Sequence, residues 1–212
     1  EEKGHTFLGK DPFDSSYFEM TDEKSGIYGF KWSMYKPGIL FKSEERPRAK
    51  YIKSYFNRHW DGEHCYIYTP TEYAVLSRAG NIMRICFDIF GAYREYAMKA
   101  HKTLFDYCAK ELMKDPVVKA EELPSTARVG VTESDKTLQL HVKATYPEKR
   151  GALEIVEEHA YLPEGLTVGV KGKYKRAFEP LSGKEIKFVY ENGYTRVILP
   201  QICGYVMIVL EK

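Results

Sequence analysis

The period of the hydrophobic pattern changes twice along this chain, and each change restricts what the neighbouring segment can form. Between Ile82 and Phe90 apolar residues occupy most positions of both alternating faces, which is typical of a strand covered on both sides. After Gly91 the apolar residues recur every three or four positions, and from about residue 127 they alternate with polar ones. Helices and strands need different periods, so the chain is predicted to contain two segments of different class.

The first segment is predicted to be an α/β unit. The three- and four-residue spacing predicts one amphipathic helix from Ala92 to Leu112, ended by Asp115-Pro116. Its apolar stripe comprises Tyr93, Tyr96, Ala97, Ala100, Leu104, Tyr107, Cys108 and Leu112. Together with the preceding strand, this helix predicts that residues 1–114 form a unit with a mixed or parallel sheet.

The second segment, residues 127–212, is predicted to be an all-β sandwich. Alternating runs such as Leu138 to Ala144 are typical of half-buried strands. Asn192-Gly193 separates two such runs and predicts a tight hairpin, because both positions accept positive φ. About seven strands with frequent turns are typical of a sandwich. Residues 115–126, with their prolines, are expected to form a linker between the segments.

Composition excludes several classes of partner. The 32 basic and 30 acidic residues are scattered along the chain, which argues against nucleic-acid binding. The longest apolar run, Tyr205 to Leu210, is far shorter than the roughly 20 residues of a membrane helix. The first residues lack a secretory signal pattern, and no two cysteines have a paired spacing, so a reducing, cytoplasmic location is expected.

The densest group of functional side chains lies between Asn57 and Cys65. Arg58, Trp60, Asp61 and His64 provide a guanidinium fork, an indole platform and polar acceptors, which suit a sugar-hydroxyl site. A metal site of His59, Asp61 and His64 is an alternative, although the irregular spacing does not place these three on one face. In a purely structural alternative, Trp60 packs and Arg58 pairs with Asp61 or Glu63.

The sequence contains no convincing catalytic centre, and we assign no catalytic residue, metal or cofactor. Glycoside hydrolysis needs two carboxyl groups at a fixed separation, but Glu154, Glu157 and Glu158 lie in a charged stretch. Neither a Gly-x-Ser-x-Gly nucleophile motif nor a glycine-rich phosphate loop occurs. His101 and His141 are interpreted as hydrogen-bonded or solvated histidines.

Several segments follow one another in a familiar order. They are Tyr55-Phe56-Asn57-Arg58-His59-Trp60, Tyr68-Thr69-Pro70, Ile89 to Tyr96, Leu123 to Val129, Pro147 to Gly151 with Glu154 to Glu157, and the closing strand Gly204 to Glu211. In this order and spacing the chain resembles the C-terminal region of β-galactosidase-like glycoside hydrolases. It departs from that family at Cys65 to Tyr68, where relatives are richer in Ser and His.

The resemblance implies a flavodoxin-like or amidotransferase-like trimerisation domain, truncated at its front, followed by a β-sandwich. The catalytic (β/α)₈ barrel of such enzymes would then be absent from this chain. The implied role is a non-catalytic accessory and oligomerisation region that meets carbohydrate through the parent enzyme.

Two alternatives remain open. One is a stand-alone carbohydrate-binding module, with Tyr174, Tyr190 and Tyr194 as the best candidates for an exposed aromatic line. The other is a small complete enzyme that uses the loop from Arg58 to His64. A long open reading frame upstream of Glu1 would favour the accessory region, whereas a start codon near Glu1 would exclude it.

The chain is also expected to self-associate. A truncated α/β domain would leave a sheet edge and apolar surface in water. The segment from Tyr28 to Tyr35 combines high β propensity with little charge. A homo-oligomer with residues 27–41 at or near the contact is therefore expected.

Overall fold

The computed structural model describes residues 4–13, 16–36, 38–58 and 64–212, with only the backbone given for 54–58, 64–68 and 149–150. The chain forms two compact units, Glu1–Lys114 and Asp115–Lys212. Among the helices of the described residues, none is long and apolar enough to cross a bilayer.

The first unit contains seven strands, two α-helices and a short 3₁₀ turn (Glu23–Ser25) in its described part. The elements are β1 (His5–Lys10), β2 (Tyr17–Met20), β3 (Trp32–Ser33), β4 (Ile39–Ser43), β5 (Ala49–Arg58), β6 (His64–Ala79), β7 (Ile82–Ile85), α1 (Ile89–Tyr96) and α2 (Lys99–Leu112). Five strands form one sheet in the order β3-β2-β5-β6-β7, while β1 pairs with β4.

The sheet of the first unit differs from the predicted mixed or parallel one. Every strand pairing among the described residues of this unit is antiparallel, and β6 and β7 are neighbours joined by a turn at Gly80. The flavodoxin-like or amidotransferase-like topology expected for residues 1–114 is therefore not seen in this sheet. The physical reason lies in the apolar run from Ile82 to Phe90, which does not form a single strand covered on both faces.

That run is divided between a strand and a helix. β7 ends at Ile85, and Asp88 begins α1, its carboxylate accepting a hydrogen bond from Gly91 N at 2.9 Å. This cap satisfies one of the free N–H groups of the first turn. The predicted order of strand then helix is correct, but the strand is short and the helix starts three residues before Ala92.

The predicted single helix is two helices. Ala97 has φ 51° and ends α1 through a hydrogen bond from its own N–H to Tyr93 O. A residue with left-handed backbone changes the direction of the chain. The apolar residues of α1 and α2 therefore do not form one continuous stripe. Ala100, His101, Leu104, Tyr107 and Cys108 of α2 are buried, whereas Tyr93 and Tyr96 are 40% and 43% exposed.

A buried polar network joins the start of the first unit to its sheet. The Ser16 hydroxyl donates to Asp11 Oδ2 at 2.6 Å, and the Tyr51 hydroxyl lies 2.6 Å from Ser16 Oγ. The Phe13 amide donates to the other carboxylate oxygen of Asp11 at 3.0 Å. Since Ser16 uses its proton on Asp11, Tyr51 is the donor to Ser16. All three side chains are buried, and burial raises the pKa of Tyr51.

The second unit is built from twelve short strands in the described chain. They are β8 (Val118–Lys119), β9 (Ala127–Glu133), β10 (Thr137–Ala144), β11 (Glu148–Arg150), β12 (Leu153–Ile155), β13 (Tyr161–Leu162), β14 (Thr167–Lys171), β15 (Arg176–Phe178), β16 (Phe188–Glu191), β17 (Tyr194–Ile198), β18 (Ile202–Cys203) and β19 (Tyr205–Glu211).

Two four-stranded antiparallel sheets enclose the core of this unit. Their orders are β15-β19-β10-β9 and β16-β17-β14-β8, and their apolar side chains form one cluster. The predicted β-rich, sandwich-like fold is confirmed, as is the hairpin at Asn192 (φ 51°) and Gly193 (φ 82°) between β16 and β17. Residues 115–126, expected to be a linker, contribute β8 to a sheet through its pairing with β14.

We predict that Leu104→Ala lowers the free energy of unfolding by about 2–5 kcal/mol, because it leaves a cavity at a fully buried position. Urea denaturation followed by circular dichroism measures the change. Leu112→Ala, on the same helix but 41% exposed, is the matched control and should cost clearly less. Equal losses for the two variants would contradict the packing described here.

Candidate functional site

The predicted sugar-binding loop lies mostly outside the described residues. Arg58 and His64 face each other as the last backbone pair of β5 and β6. Their side chains, together with Trp60 and Asp61, fall outside the described part of the chain. The proposed site of Arg58, Trp60, Asp61 and His64, and the alternative metal ligand His59, therefore remain predictions.

The tyrosines proposed as an aromatic platform do not form one. Tyr174 and Tyr194 are only 7% and 6% exposed. The Tyr194 hydroxyl donates to Asp115 Oδ1 at 2.6 Å and lies 2.8 Å from Pro116 O, while the Tyr174 hydroxyl donates to Lys171 O. Tyr190 alone of the three is well exposed, at 47%. The interpretation of these residues as an exposed line was wrong, because two of the hydroxyls find partners inside the fold.

The first unit instead displays aromatic rings along one edge of its sheet. We call Phe30, Trp32, Tyr35 and Tyr96 the aromatic edge. The rings of Phe30 and Trp32 lie 5.7 Å apart, and those of Tyr35 and Tyr96 stack at 4.4 Å with 20° between their planes. Phe30 is 65% exposed, and β3, which carries Trp32, is an edge strand. Trp32 is half-buried against the core, whereas Tyr35 and Tyr96 are 39% and 43% exposed. Exposed rings beside an edge strand are typical of an interaction surface.

Two unusual backbone conformations hold the Tyr35–Tyr96 stack. Tyr35 has φ 59°, and Ala97, next to Tyr96, has φ 51°. Left-handed backbone at non-glycine residues costs about 1–3 kcal/mol and tends to occur at functional sites. The Lys36 ammonium contacts the Glu95 carboxylate at 2.8 Å beside the stack. This ion pair lowers the pKa of Glu95 and raises the pKa of Lys36.

His101 lies inside the first unit and contacts β3, the strand that carries Trp32 of the aromatic edge. Its side chain is fully buried, and its Nε2 lies 2.9 Å from the Ser33 carbonyl oxygen. A carbonyl only accepts, so Nε2 carries the proton, and Nδ1 has no hydrogen-bond partner within the described structure. The imidazole is therefore neutral. Burial lowers its pKa, and the bond to Ser33 opposes that effect in part.

The carboxylates with a shifted pKa serve structure. In each of them the shift is downwards, and its largest cause is a hydrogen bond from a backbone N–H or a lysine. They are Asp22 (Lys24 N), Glu95 (Lys36), Asp115 (Lys171) and Glu122 (Thr167 N). A general acid needs the opposite shift. The described residues also contain no group of three His, Cys, Asp or Glu side chains arranged for a metal.

Sequence reasoning singled out the segment from Tyr28 to Tyr35 but placed Tyr96 in the core. The local signals for the segment were its aromatic content and its low charge. No signal links Tyr35 to Tyr96, because they are distant in sequence and meet only through the break at Ala97.

Comparisons with known proteins found matches among solved structures only. No protein-family model matches the chain, and no curated protein matches it either. Among solved structures, the α-L-fucosidase isoenzyme 2 from Paenibacillus thiaminolyticus matches 100% of this chain with a TM-score of 0.84 at 20% identity. Two structures of Gan42B, a GH42 β-galactosidase from G. stearothermophilus, match 99% of the chain at 14% identity and a TM-score of 0.43.

The chain corresponds to 34% of the length of the fucosidase chain and 23% of each galactosidase chain. At 20% identity the first similarity establishes shared architecture. This chain therefore has the fold of part of that fucosidase chain.

We predict that protonation of His101 destabilises the first unit. Folding lowers the pKa of His101. The stability that the neutral imidazole contributes is therefore fully present above about pH 6.5, the ordinary pKa of histidine, and is lost as the pH falls below that value. Unfolding free energies measured between pH 7.5 and pH 5 should fall less steeply in His101→Gln than in the wild type. An unchanged slope in His101→Gln would refute the prediction.

Proposed function

We propose that this chain is a non-catalytic accessory and oligomerisation region of a glycoside hydrolase, and that hydrolysis is carried out by a barrel domain outside it. The observation that carries this proposal is the similarity of the whole chain, at a TM-score of 0.84, to 34% of an α-L-fucosidase chain. The resemblance of its sequence segments to the C-terminal region of β-galactosidase-like enzymes points the same way. The substrate class follows as a glycoside, met through the parent enzyme.

The contacts of two described carboxylates, Asp115 and Glu122, support a non-catalytic role for this chain. Asp115 joins Lys171 and Tyr194, and Glu122 accepts from the Thr167 amide. Both contacts tie the segment after Lys114 to the sheet of the second unit. Acids used in this way stabilise a fold and are poorly placed to donate a proton to a leaving group.

The aromatic edge supports self-association. Phe30, Tyr35 and Tyr96 expose ring surface, and β3, which carries Trp32, is an edge strand of the described sheet. Aromatic residues are enriched in the centres of protein interfaces. We therefore place a homo-oligomer contact at residues 27–41, with Tyr96 contributed from α1.

A reducing, cytoplasmic location is part of the proposal. The described cysteines Cys86, Cys108 and Cys203 are free thiols. Burial raises the pKa of Cys86 to about 12 and that of Cys108 to about 11. Protonated, buried thiols are inert packing groups.

We expect the purified chain to release no nitrophenol from aryl α-L-fucosides or β-D-galactosides above the buffer rate, because the shifted pKa values among its described carboxylates are lowered, whereas a general acid needs a raised pKa. Continuous absorbance assays provide the measurement. Turnover that disappears on substitution of one of the chain's own acids, including Asp61 of the Arg58–His64 loop, would instead establish the small-enzyme alternative.

We expect light scattering to show a dimer or larger oligomer at micromolar concentration. Phe30→Glu places a charge on the aromatic edge at a position that is 65% exposed, so it should favour the monomer and leave the fold intact. Tyr146→Glu, at a position of the second unit that is 48% exposed, is the control. A monomeric wild type, or equal effects of the two variants, would contradict the proposed contact.

A further inference from the structure

One face of the second unit carries an ordered polar surface on β9, β10 and β19. Leu138, Leu140 and Val142 of β10 point into the core, so the residues between them point outwards. The outward residues align in three cross-strand rows. The rows are Arg128–Lys143–Tyr205, Gly130–His141–Met207 and Thr132–Gln139–Val209.

A chain of hydrogen bonds fixes the polar side chains of this face. The Thr132 hydroxyl donates to Gln139 Oε1 at 2.9 Å, so its oxygen is left to accept from His141 Nε2 at 3.3 Å. In the tautomer that carries its proton on Nε2, the Nδ1 of His141 then accepts from the Tyr205 hydroxyl at 2.8 Å. The two rings are 22° from parallel. His141 is thereby held in one tautomer and one orientation before any ligand arrives, which lowers the entropic cost of binding.

Gly130, an exposed glycine, leaves a gap in the middle row of these side chains, which we call the hollow. It lies directly opposite His141, and a Cβ built on it would meet nothing within 4 Å. Its backbone lies outside the positive-φ region, so neither conformation nor crowding requires glycine. Glycine inside a strand weakens it, and it often marks a place where a ligand approaches closely.

The hollow has a positive rim. Arg128 lies two residues from Gly130 on the same strand, and Lys143 lies directly opposite Arg128. Like charges in this position repel each other. The described contacts of Arg128 are to the carbonyl oxygens of Ser125 and Ala127, which leave its charge unneutralised. An anionic group above the hollow would relieve the repulsion.

We propose that the hollow over Gly130 binds a saccharide that carries a carboxylate. The sugar ring lies against Gly130, its hydroxyl groups meet Thr132 and Gln139, and its carboxylate meets Arg128 and Lys143, while His141 holds Thr132 in place. Gln139 has a second Nε2–H to donate, because only one is used on Thr137. Tyr205 acts as a positioning residue through His141. The choice of a sugar acid over another small acid rests on the proposed function.

Nuclear magnetic resonance titration of the chain with D-galacturonate and D-galactose tests the site, because these sugars differ only in the carboxylate at C6. Galacturonate should shift the amide signals of Gly130, His141 and Thr132 and bind about fivefold tighter than galactose at low salt, the upper range of one exposed ion pair. Added salt should reduce this difference. Acetate should not reproduce the galacturonate shifts.

Gly130→Val is the decisive variant. It fills the hollow with a residue favoured in strands, so binding should be lost while the melting temperature stays equal or rises. Val189→Thr, exposed on β16 of the other sheet, is the control and should bind as the wild type does. Equal binding of the two sugars, equal binding of acetate, or full binding by Gly130→Val would overturn the proposal. The titration measures binding and involves no hydrolysis, so failure of both sugars to bind would leave the proposed accessory role unchanged. Conversely, turnover of a glycoside by the chain would refute the accessory role without affecting the binding site.

Discussion

The long, regular pairing of β10 with both of its neighbours is the constraint on which the second unit depends. Seven consecutive residues of this strand pair with β19 and seven with β9. Because side chains alternate, this register sends Leu138, Leu140 and Val142 into the core and leaves Gln139 and His141 outside. A slip of one residue would bury the polar row and expose the leucines. Core and polar surface are thus two results of one register.

The first unit depends on polar contacts inside an apolar core. Asp11, Ser16 and Tyr51 satisfy one another in a chain that joins the segment after β1 to β5. A buried donor or acceptor without a partner is costly, so such a network favours one arrangement of the strands. Gly38 adds a steric requirement, because a Cβ there would lie 2.7 Å from Cys86 O. His101 anchors α2 to the carbonyl of Ser33 in the same way.

The two units present surfaces of different chemistry. The aromatic edge offers exposed rings beside a short edge strand, a combination suited to another protein surface. The face around Gly130 offers hydrogen-bonding groups and two cations, a combination suited to a small polar ligand. In the described chain, the carboxylates with lowered pKa are held by backbone amides or lysines. Each of these carboxylates has a structural partner within the fold.

Local pattern was enough to establish the β-rich second unit, its Asn192-Gly193 hairpin and the helical character of the residues after Asp88, because period and turn chemistry are properties of neighbouring residues. It could not establish that the first sheet is antiparallel, since strand pairing joins distant segments. Nor could it place the break at Ala97, where a residue with good helix propensity adopts φ 51°. The tertiary structure also decided that Tyr194 is buried on Asp115 while Tyr35 stacks on Tyr96. A tyrosine suits either environment, and only the fold determines whether its hydroxyl meets a partner or water.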